Sequence, residues 1–372
     1  MTGSNAFVCT TCDQRFPLDT HEWRCPCGGQ LDLETWPAFD AGQIDAAQPG
    51  LWRYRALMPL DPSWEPVSLG EGSTPLFRLD WAGQDLHLKL ESLAPTGSFK
   101  DRGAAVLVTA LRGLGVERVV EDSSGNAGAS LTAYAARAGI SCEVCVPAHA
   151  AGPKLAQMRA HGAEVIEIKG RREYAALAAW AAAAHGAYYA SHVHNPFFLA
   201  GTETLAYELW EQLGRRAPGA LVLPVGNGTL LLGAYRGFQR LAQAGLVQRL
   251  PRLFAVQAAA CAPIYEAFAA GRDTVEPVKP EPTCASGIAI GQPARGAEIL
   301  AALRATGGAA VAVSEQEIEA AWNQLARQGL YVEDTSATAV AAVERLHDPL
   351  DAIGDPLVLP ITGHGLKISP NQ

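Results

Sequence analysis

The chain has 372 residues, of which 48% are hydrophobic and 18% charged, and its formal net charge is −9 at pH 7. This length supports one large or two modest hydrophobic cores. The acidic balance and the absence of long basic runs argue against a nucleic-acid partner, and no stretch reaches the roughly 20 apolar residues of a membrane span. Residues 1–8 lack the features of a signal peptide, so we predict a cytoplasmic protein without a membrane partner.

Residues 1–40 are predicted to form a separate N-terminal unit, and the polar residues 41–50 to connect it to the main body. Four of the eight cysteines lie in this unit, namely Cys9, Cys12, Cys25 and Cys27. In a cytosolic protein such a cluster favours a metal site over disulfides. Two cysteine pairs can supply four thiolates to a tetrahedral ion, although the second pair has the tighter Cys-x-Cys spacing. A metal-free or oxidised cluster is the alternative.

From Leu86 onward, strand-like and helix-like segments alternate. The predicted strands are Leu86–Leu90, Arg118–Glu121, Ser141–Pro147, Glu164–Ile168, Ala187–Ala190, Ala220–Val225, Leu253–Gln257, Ala309–Val313 and Pro356–Ile361. The predicted helices include Gly103–Leu114, Gly128–Ala138, Pro153–Arg159 and Arg171–Ala184. This alternation predicts an α/β protein with parallel sheets covered on both faces. In such sheets ligands bind at the carboxyl ends of strands, where helix N-termini present N–H groups to anions.

The segment Glu91–Gly103 lies between a predicted strand and a predicted helix, and it places Lys100 at the helix start. The positive end of the helix dipole should lower the pKa of this lysine, as Schiff-base chemistry requires. A solvated surface lysine is the alternative interpretation of the same segment.

Three glycine-containing turns follow predicted strands. Ser123–Gly128 (SSGNAG) predicts an anion-binding turn suited to a substrate carboxylate, and Asn126 in it could offer an amide to a phenolic oxygen of a cofactor. A helix N-cap with a tight turn is the alternative. Leu223–Thr229 has the same strand, turn and helix order and predicts a phosphate-binding turn. Ile361–Lys367 closes the last predicted strand with a third glycine-rich turn.

In this order and spacing, the motifs of the chain resemble the threonine synthase family of fold-type-II pyridoxal-phosphate-dependent enzymes. The motifs are Gly70–Leu76 (GEGSTPL), Pro95–Gly103 (PTGSFKDRG), Ser124–Asn126 (SGN), Tyr134–Gly139 (YAARAG) and Thr362–Lys367 (TGHGLK). The resemblance covers nearly the whole chain and implies a tryptophan-synthase-β-like, two-domain α/β architecture. We expect a large domain over 50–120 and 205–372, and a smaller inserted domain over 121–200. It further implies that 1–40 is a zinc ribbon holding structural zinc, and that the protein is a homodimer.

The resemblance implies that the cofactor is pyridoxal 5'-phosphate (PLP) and that Lys100 is the catalytic residue, which carries PLP as a Schiff base and shuttles the Cα proton. Asn126 should bond the phenolic oxygen of PLP, and Thr362 should face its pyridine nitrogen. The PLP phosphate should be bound by the backbone of Gly226, Asn227, Gly228 and Thr229. A hydroxyl cannot stabilise a pyridinium as a carboxylate would, so Thr362 favours elimination and replacement over transamination.

The implied substrate site departs from the family pattern. Its residues are Ser123, Ser124, Gly125, Ala127, His192, Asn195 and Phe198. Ala127 stands where the family has threonine, His192 where it has asparagine, and Phe198 where it has arginine. These changes remove a hydroxyl, an amide and a guanidinium from a pocket that must hold a substrate phosphate. His192 and His194 could replace part of these donors if protonated, or could simply be packed residues.

Two enzymatic interpretations stay open. The first is threonine synthase, which eliminates phosphate from O-phospho-L-homoserine and adds water at Cβ. The second is a threonine-synthase-like β-eliminase or β-replacement enzyme, such as a serine or threonine ammonia-lyase, acting on an unphosphorylated amino acid. The ribbon and the Thr362 turn favour the first, whereas the altered pocket favours the second. A non-catalytic scaffold is a third interpretation, against which the joint presence of Lys100, Asn126, the Gly226 turn and Thr362 argues. We therefore predict a PLP-dependent carbon–oxygen lyase that is similar to threonine synthase and acts in threonine biosynthesis.

Overall fold

The computed structural model describes residues 5–81, 83–148, 150, 152–170, 172–346 and 356–368. Its strands are β1 (Ala6–Cys9), β2 (Arg15–Pro17), β3 (Leu31–Leu33), β4 (Leu76–Trp81), β5 (Gln84–Lys89), β6 (Arg118–Glu121), β7 (Ser141–Pro147), β8 (Glu164–Ile168), β9 (Tyr188–Tyr189), β10 (Ala220–Pro224), β11 (Arg252–Ala258), β12 (Ala309–Val313) and β13 (Leu357–Pro360). Its α-helices are α1 (Lys100–Gly113), α2 (Asn126–Ala138), α3 (Pro153–Ala160), α4 (Arg172–Ala184), α5 (Pro196–Gln212), α6 (Thr229–Gln243), α7 (Pro263–Ala269), α8 (Gly296–Ala305), α9 (Glu315–Arg327) and α10 (Asp334–Ala341).

The predicted alternation of strands and helices is confirmed. Four strands, β6, β7, β8 and β12, begin and end at the predicted residues, and the others differ by a few residues at their ends. Arg171, the predicted first residue of a helix, lies outside the described residues. Among the helices that the structure describes, none combines the length and the apolar character needed to cross a membrane.

Contacts between Cα atoms divide the chain into two compact units. The first unit comprises Met1–Gly72 and Lys100–Thr202, and the second comprises Ser73–Phe99 and Glu203–Gln372. Helix α1 is thus grouped with the ribbon and with the sheet that contains β6, whereas the sequence analysis expects 50–120 in the large domain. The assignment of residues to the two domains of the family architecture stays a prediction.

The first unit contains two sheets. A small antiparallel sheet with strand order β2-β1-β3 spans the N-terminal cysteine region, and Phe7 in its central strand lies opposite Phe16 and Leu33. A four-stranded sheet with order β8-β7-β6-β9 is entirely parallel. Helix α4 is rich in alanine, and its buried residues Ala175 and Ala179 pack in one cluster with residues of this sheet. Because β6 is an inner strand, the turn that follows it lies at the carboxyl edge of the sheet, where ligands bind in α/β folds.

The second unit contains one six-stranded sheet with order β12-β11-β10-β13-β5-β4. All pairings are parallel except β4–β5, an antiparallel hairpin at the edge. The sequence analysis missed this hairpin, although Phe77, Leu79 and Trp81 alternate with the polar residues Arg78 and Asp80 in β4. Strands β10, β13 and β5 are adjacent and parallel, so the turns after β10 and β13 emerge at the same edge. That edge carries the predicted phosphate-binding turn and Thr362.

Candidate active site

Lys100 is the first residue of α1, as the sequence predicts for a lysine at a helix start. The two residues before it belong to the second unit and are held by the Thr362 turn. The Phe99 N–H donates to the Thr362 carbonyl at 3.1 Å, and Ser98 forms an antiparallel bridge with Gly363. The backbone leading into the lysine is therefore fixed by hydrogen bonds on the N-terminal side of the helix.

The pKa of Lys100 is lowered to about 8, mainly because burial removes water from the ammonium form, while the charge of Glu121 acts in the opposite direction. The Lys100 Nζ also lies 5.7 Å from the centre of the Phe198 ring. The downward direction agrees with the prediction, but the dominant cause is desolvation rather than the helix dipole. An amine with this pKa is neutral in a substantial fraction of molecules near neutral pH, which a nucleophilic lysine needs.

The Ser123–Gly128 turn connects β6 to α2, and Asn126 is the first residue of that helix. The Ser123 hydroxyl oxygen accepts a hydrogen bond from the Gly125 N–H at 3.3 Å. A Cβ atom at Gly128 would lie 2.1 Å from the Ser123 carbonyl oxygen, so this position needs glycine. Ala127 is buried. The backbone N–H groups of the turn stand at the start of a 13-residue helix, where an anion is favoured.

Glu121 is a site residue that the sequence analysis missed. It is the last residue of β6, is 1% exposed, and has one carboxyl oxygen 2.8 Å from Nδ1 of His192. The other oxygen, Oε2, has no hydrogen-bond partner among the described residues. Burial raises the pKa of Glu121 well above its ordinary value, and burial lowers the pKa of His192 well below its ordinary value. A protonated imidazole at His192 is therefore disfavoured as a replacement for the lost cation.

Phe198 and Asn195 lie at the start of α5. Phe198 is 2% exposed, and its ring meets the His192 ring edge to face at 5.8 Å between centroids. Gly103 packs so closely on Phe198 that an added Cβ would lie 2.5 Å from ring atoms. Asn195 instead uses its amide within the fold, donating to the Tyr188 hydroxyl at 2.9 Å and accepting from the Phe197 N–H at 2.9 Å. The structure thus clusters Lys100 with Phe198 and His192, whereas Asn195 anchors the segment.

In the second unit, the turn after β10 has the shape of an anion cradle. Gly228 has φ +74°, in the left-handed region that favours glycine, and an added Cβ would lie 2.3 Å from Cδ1 of Ile299. A Cβ at Gly226 would lie 3.0 Å from Cα of Ile288. Thr229 then begins α6, a helix of 15 residues. Backbone donors at such a helix start fit the phosphate of PLP.

Thr362 is buried two residues beyond β13, and a second hydroxyl orients it. The Thr362 Oγ1 lies 3.1 Å from Oγ of Ser336, which also accepts the Gly363 N–H at 3.0 Å. Ser336 lies on α10 and is fully buried. The sequence analysis missed Ser336 because nothing in its local sequence separates it from other helical serines.

The four N-terminal cysteines come together as predicted. Their Sγ atoms all lie within 4.8 Å of one another, with 3.5 Å between Cys9 and Cys27 and 3.5 Å between Cys12 and Cys25. All four are free thiols rather than disulfides. A tetrahedral ion with Zn–S bonds of about 2.3 Å separates its sulfur ligands by about 3.8 Å, so the cluster has the dimensions and the donor set to bind a metal ion.

Comparisons with known proteins agree with this geometry. Residues 67–363 match the family model described as "Pyridoxal-phosphate dependent enzyme". The structure of a threonine deaminase from T.th. is similar with a TM-score of 0.67 and 29% identity, over 80% of this chain and 94% of that chain. The class that the fold and the site define is therefore that of the fold-type-II PLP-dependent enzymes, as the sequence predicts.

Curated relatives narrow the assignment. The threonine synthase of Methanocaldococcus jannaschii is 36% identical, over 96% of this chain and 92% of the relative. The threonine synthase of Mycobacterium bovis is 38% identical, over 84% of this chain and 87% of the relative. The chain belongs to the threonine synthase family. The predictions of a PLP-dependent lyase of this type and of an N-terminal four-cysteine cluster are confirmed.

Proposed function

We propose that the chain catalyses the threonine synthase reaction, in which O-phospho-L-homoserine and water give L-threonine and phosphate. The observation that carries this proposal is a lysine of lowered pKa at the start of α1, in a chain at least 36% identical to the two threonine synthases named above over most of its length. PLP, when bound, supplies the electron sink that makes the Cα proton acidic and allows the γ-substituent to leave.

The residues that would hold PLP come from the three turns and the helix start. Lys100 would be the covalent attachment point, and Asn126 would bond the phenolic oxygen. The turn from Gly226 to Thr229 binds the phosphate through N–H groups at the start of α6. Thr362, oriented by Ser336, offers a hydroxyl to the pyridine nitrogen. These roles agree with a site that favours elimination and replacement.

The chain's own residues move the proton and bind the amino acid. Lys100 would take the Cα proton on Nζ as a general base and return protons later in the reaction. Backbone N–H groups of the Ser123–Gly128 turn at the start of α2 would bind the substrate carboxylate. The remaining predicted substrate residues, Ser123, Ala127, His192, Asn195 and Phe198, enclose the rest of the amino acid.

We propose further that the four cysteines hold structural zinc rather than another metal. Four thiolates leave no open coordination position, so the ion would stabilise the N-terminal unit without taking part in catalysis. The protein is proposed to act in the cytoplasm as a homodimer. Zinc content by atomic emission tests the metal assignment, and mass by light scattering tests the homodimer.

A β-eliminating or β-replacing enzyme for an unphosphorylated amino acid is the second candidate. The observation that favours it is the pair of groups beside Lys100: an apolar ring at Phe198 and the buried carboxyl group of Glu121. Neither group carries a positive charge that could pair with a phosphate dianion, and an ionised Glu121 would repel one. Serine and threonine carry a small hydroxyl that a carboxyl oxygen can bond.

One substrate panel separates the two candidates. The purified protein, loaded with PLP, is incubated separately with O-phospho-L-homoserine, L-homoserine, L-serine and L-threonine, and the release of phosphate and of 2-oxo acids is followed. If the chain catalyses the threonine synthase reaction, the phosphorylated substrate should yield phosphate and L-threonine. Release of a 2-oxo acid from serine or threonine without any phosphate release would replace the first candidate by the second.

Phe198→Arg is expected to strengthen binding of O-phospho-L-homoserine by about tenfold or more, because a charge-assisted hydrogen bond contributes about 1.5–3 kcal/mol. The measurement is a titration of the PLP absorption band with the phosphorylated substrate. Phe198→Leu is the matched control, since it removes the ring without adding a cation. Equal affinities in the two variants, with native circular dichroism, would mean that residue 198 does not face the substrate phosphate.

The rate at which cofactor-free protein attaches PLP is expected to rise with pH and to reach half its maximum near pH 8. Lys100 attacks only as the neutral amine, and its pKa of about 8 places that form well below the pH that an ordinary lysine needs. Below pH 8 the ammonium form predominates and attachment slows. Stopped-flow absorbance over pH 6–10.5 measures the midpoint, and a midpoint above pH 10 would contradict the burial of Lys100.

A further inference from the structure

The four-cysteine ribbon, comprising β1 to β3 and the two cysteine turns, packs on one stretch of the first unit. That stretch runs from Tyr188 to Phe198 and is called the substrate segment here, because it contains the predicted substrate residues His192, Asn195 and Phe198. The contacts that join the two parts include a polar one through Gln30 and aromatic ones through Trp23 and Phe7. All of them lie within the first unit.

The polar contact joins Gln30 to His194. The Gln30 Oε1 lies 2.7 Å from Nδ1 of His194. The backbone of Gln30 is itself tied to the first cysteine turn, since its carbonyl accepts the Thr10 N–H at 2.9 Å. The Cys25 N–H donates at 3.0 Å to the carbonyl of Gly29, the residue that precedes Gln30. Hydrogen bonds to both cysteine turns therefore fix the backbone around Gln30, and its side chain contacts His194 from there.

The first aromatic contact centres on Trp23, two residues before Cys25. Its ring stacks on Trp180 with 5.0 Å between centroids and an interplanar angle of 23°. It also meets Tyr189 edge to face at 5.4 Å and lies 4.7 Å from the His194 ring. The Arg24 guanidinium covers Trp23 at 4.5 Å. Such pairs contribute beyond the area they bury, so Trp23 holds His194 against the body of the first unit.

The second aromatic contact links β1 to the start of α5. Phe7, two residues before Cys9, meets Phe197 edge to face at 5.8 Å with an interplanar angle of 70°. Both rings are buried. Phe197 directly precedes Phe198, the ring that lies beside Lys100 Nζ. Phe7 thus packs directly on Phe197, the residue next to Phe198 of the predicted substrate pocket.

Residues that contact the ribbon and residues that lie beside the catalytic lysine and its neighbours alternate along the substrate segment. His192 bonds to Glu121 and packs on Phe198, whereas His194 and Phe197 are held by the ribbon. A change in the ribbon is therefore transmitted over one or two residues to His192 and Phe198. Strands of three or four residues bury too little apolar area to stay folded alone, so the ribbon depends on its metal ion.

We propose that the ribbon positions the substrate segment through Gln30, Trp23 and Phe7, so that occupancy of the four cysteines by a metal ion controls the affinity for the amino-acid substrate. This inference rests on the proposed function in one respect, namely that the segment binds the substrate. The three residues are positioning residues, since none of them is placed at the substrate itself. Loss of the metal ion would release the ribbon and free His194 and Phe197 from their contacts.

Gln30→Ala is the first test. In the PLP-loaded full chain, this variant should weaken the binding of amino acid about tenfold, the usual effect of losing one well-placed hydrogen bond to a positioned group. Affinity is read from titration of the PLP absorption band with O-phospho-L-homoserine and with L-serine. We expect KM to rise by the same factor, with kcat within about twofold and PLP content unchanged. A merely structural role of Gln30 would instead lower PLP content and kcat together.

Arg15→Ala is the matched control for Gln30→Ala. Arg15 pairs with Glu34 at 2.6 Å on the ribbon, both side chains are largely exposed, and neither contacts the substrate segment in the described hydrogen bonds and ion pairs. This variant should keep wild-type affinity. Equal affinity in Gln30→Ala and wild type overturns the proposal. A wild-type PLP spectrum that responds to neither amino acid overturns the proposed function, and the ribbon proposal with it.

Metal removal is the second test, and its readout is independent of activity. The stacked Trp23 and Trp180 rings should give an exciton signal in circular dichroism, which Trp180→Phe identifies by removing it. A chelator added to the PLP-loaded protein should abolish this signal and weaken amino-acid binding in parallel, and added Zn²⁺ should restore both. Loss of the exciton signal with unchanged affinity would contradict the proposal, as would weakened affinity with the signal intact.

Discussion

Lys100→Ala is expected to lower turnover by about 10³-fold or more and to remove the absorption band of lysine-bound PLP. The variant lacks both the covalent attachment point and the amine that carries the Cα proton, and loss of a general acid–base group alone costs about 10²–10⁴-fold. The measurement is the visible spectrum of the purified variant beside its turnover of O-phospho-L-homoserine and L-serine.

Lys169→Ala is the matched control, because Lys169 is an exposed lysine in the loop after β8. It should keep the spectrum and the turnover of the wild type. Borohydride reduction of wild type followed by peptide mapping should place the cofactor mass on the peptide that contains Lys100. An unchanged PLP band in Lys100→Ala, or the label on another lysine, would refute the assignment of the attachment site.

Glu208→Ala is expected to reduce the free energy of unfolding of the second unit by about 3–5 kcal/mol, the usual cost of breaking a buried ion pair from one side. Lys89 is 0% exposed, and its ammonium contacts the Glu208 carboxylate, the Thr74 carbonyl at 2.5 Å and the Gln212 Oε1 at 2.8 Å. Without Glu208 the ammonium would stay buried with only neutral acceptors among these partners. Urea unfolding followed by fluorescence measures the change.

Asp85→Ala serves as the control for this prediction, because Asp85 forms an ion pair with Arg78 in the same unit and the two side chains are 53% and 71% exposed. Water and salt screen that pair, so its loss should leave the unfolding midpoint almost unchanged. Glu208→Gln keeps a neutral acceptor for Lys89, so its unfolding midpoint should lie between those of Glu208→Ala and Asp85→Ala. A midpoint in Glu208→Ala equal to that of Asp85→Ala would show that the buried pair contributes nothing net to stability.

The strands were predictable because their signal is local. Ser141–Pro147 and Ala309–Val313 are short runs that contain β-branched valine and lie near turn residues. In the structure both strands begin and end at the predicted residues. The hairpin strand β4 was missed even though Phe77, Leu79 and Trp81 alternate with the polar residues Arg78 and Asp80, the period of a half-buried strand. Its pairing with β5 is determined by the sheet edge that β5 offers, which is a property of the folded unit.

The burial of Glu121 and Glu71 was not predictable from local sequence. Glu121 follows two valines at the end of β6, and a glutamate there is ordinarily exposed. Glu71 accepts hydrogen bonds from the Tyr134 hydroxyl at 2.8 Å and from the Leu69 N–H at 2.9 Å, yet within its motif it is only a glutamate between glycines. Burial of a carboxyl group depends on which distant elements cover it, and no window of the sequence contains that information.

Glycine turns after strands and closely spaced thiols are local signatures of chemistry. From them the sequence predicted Lys100, Asn126, the turn from Gly226 to Thr229 and Thr362 as cofactor residues, which stay predictions, and the clustering of four cysteines, which the structure shows. The class of enzyme followed from their order along the chain. Only the tertiary structure placed Glu121 and His192 beside Lys100 and brought Ser336 next to Thr362. It also packed the ribbon against the substrate segment. These contacts join residues far apart in the chain, and they form only when burial of apolar surface brings whole elements together.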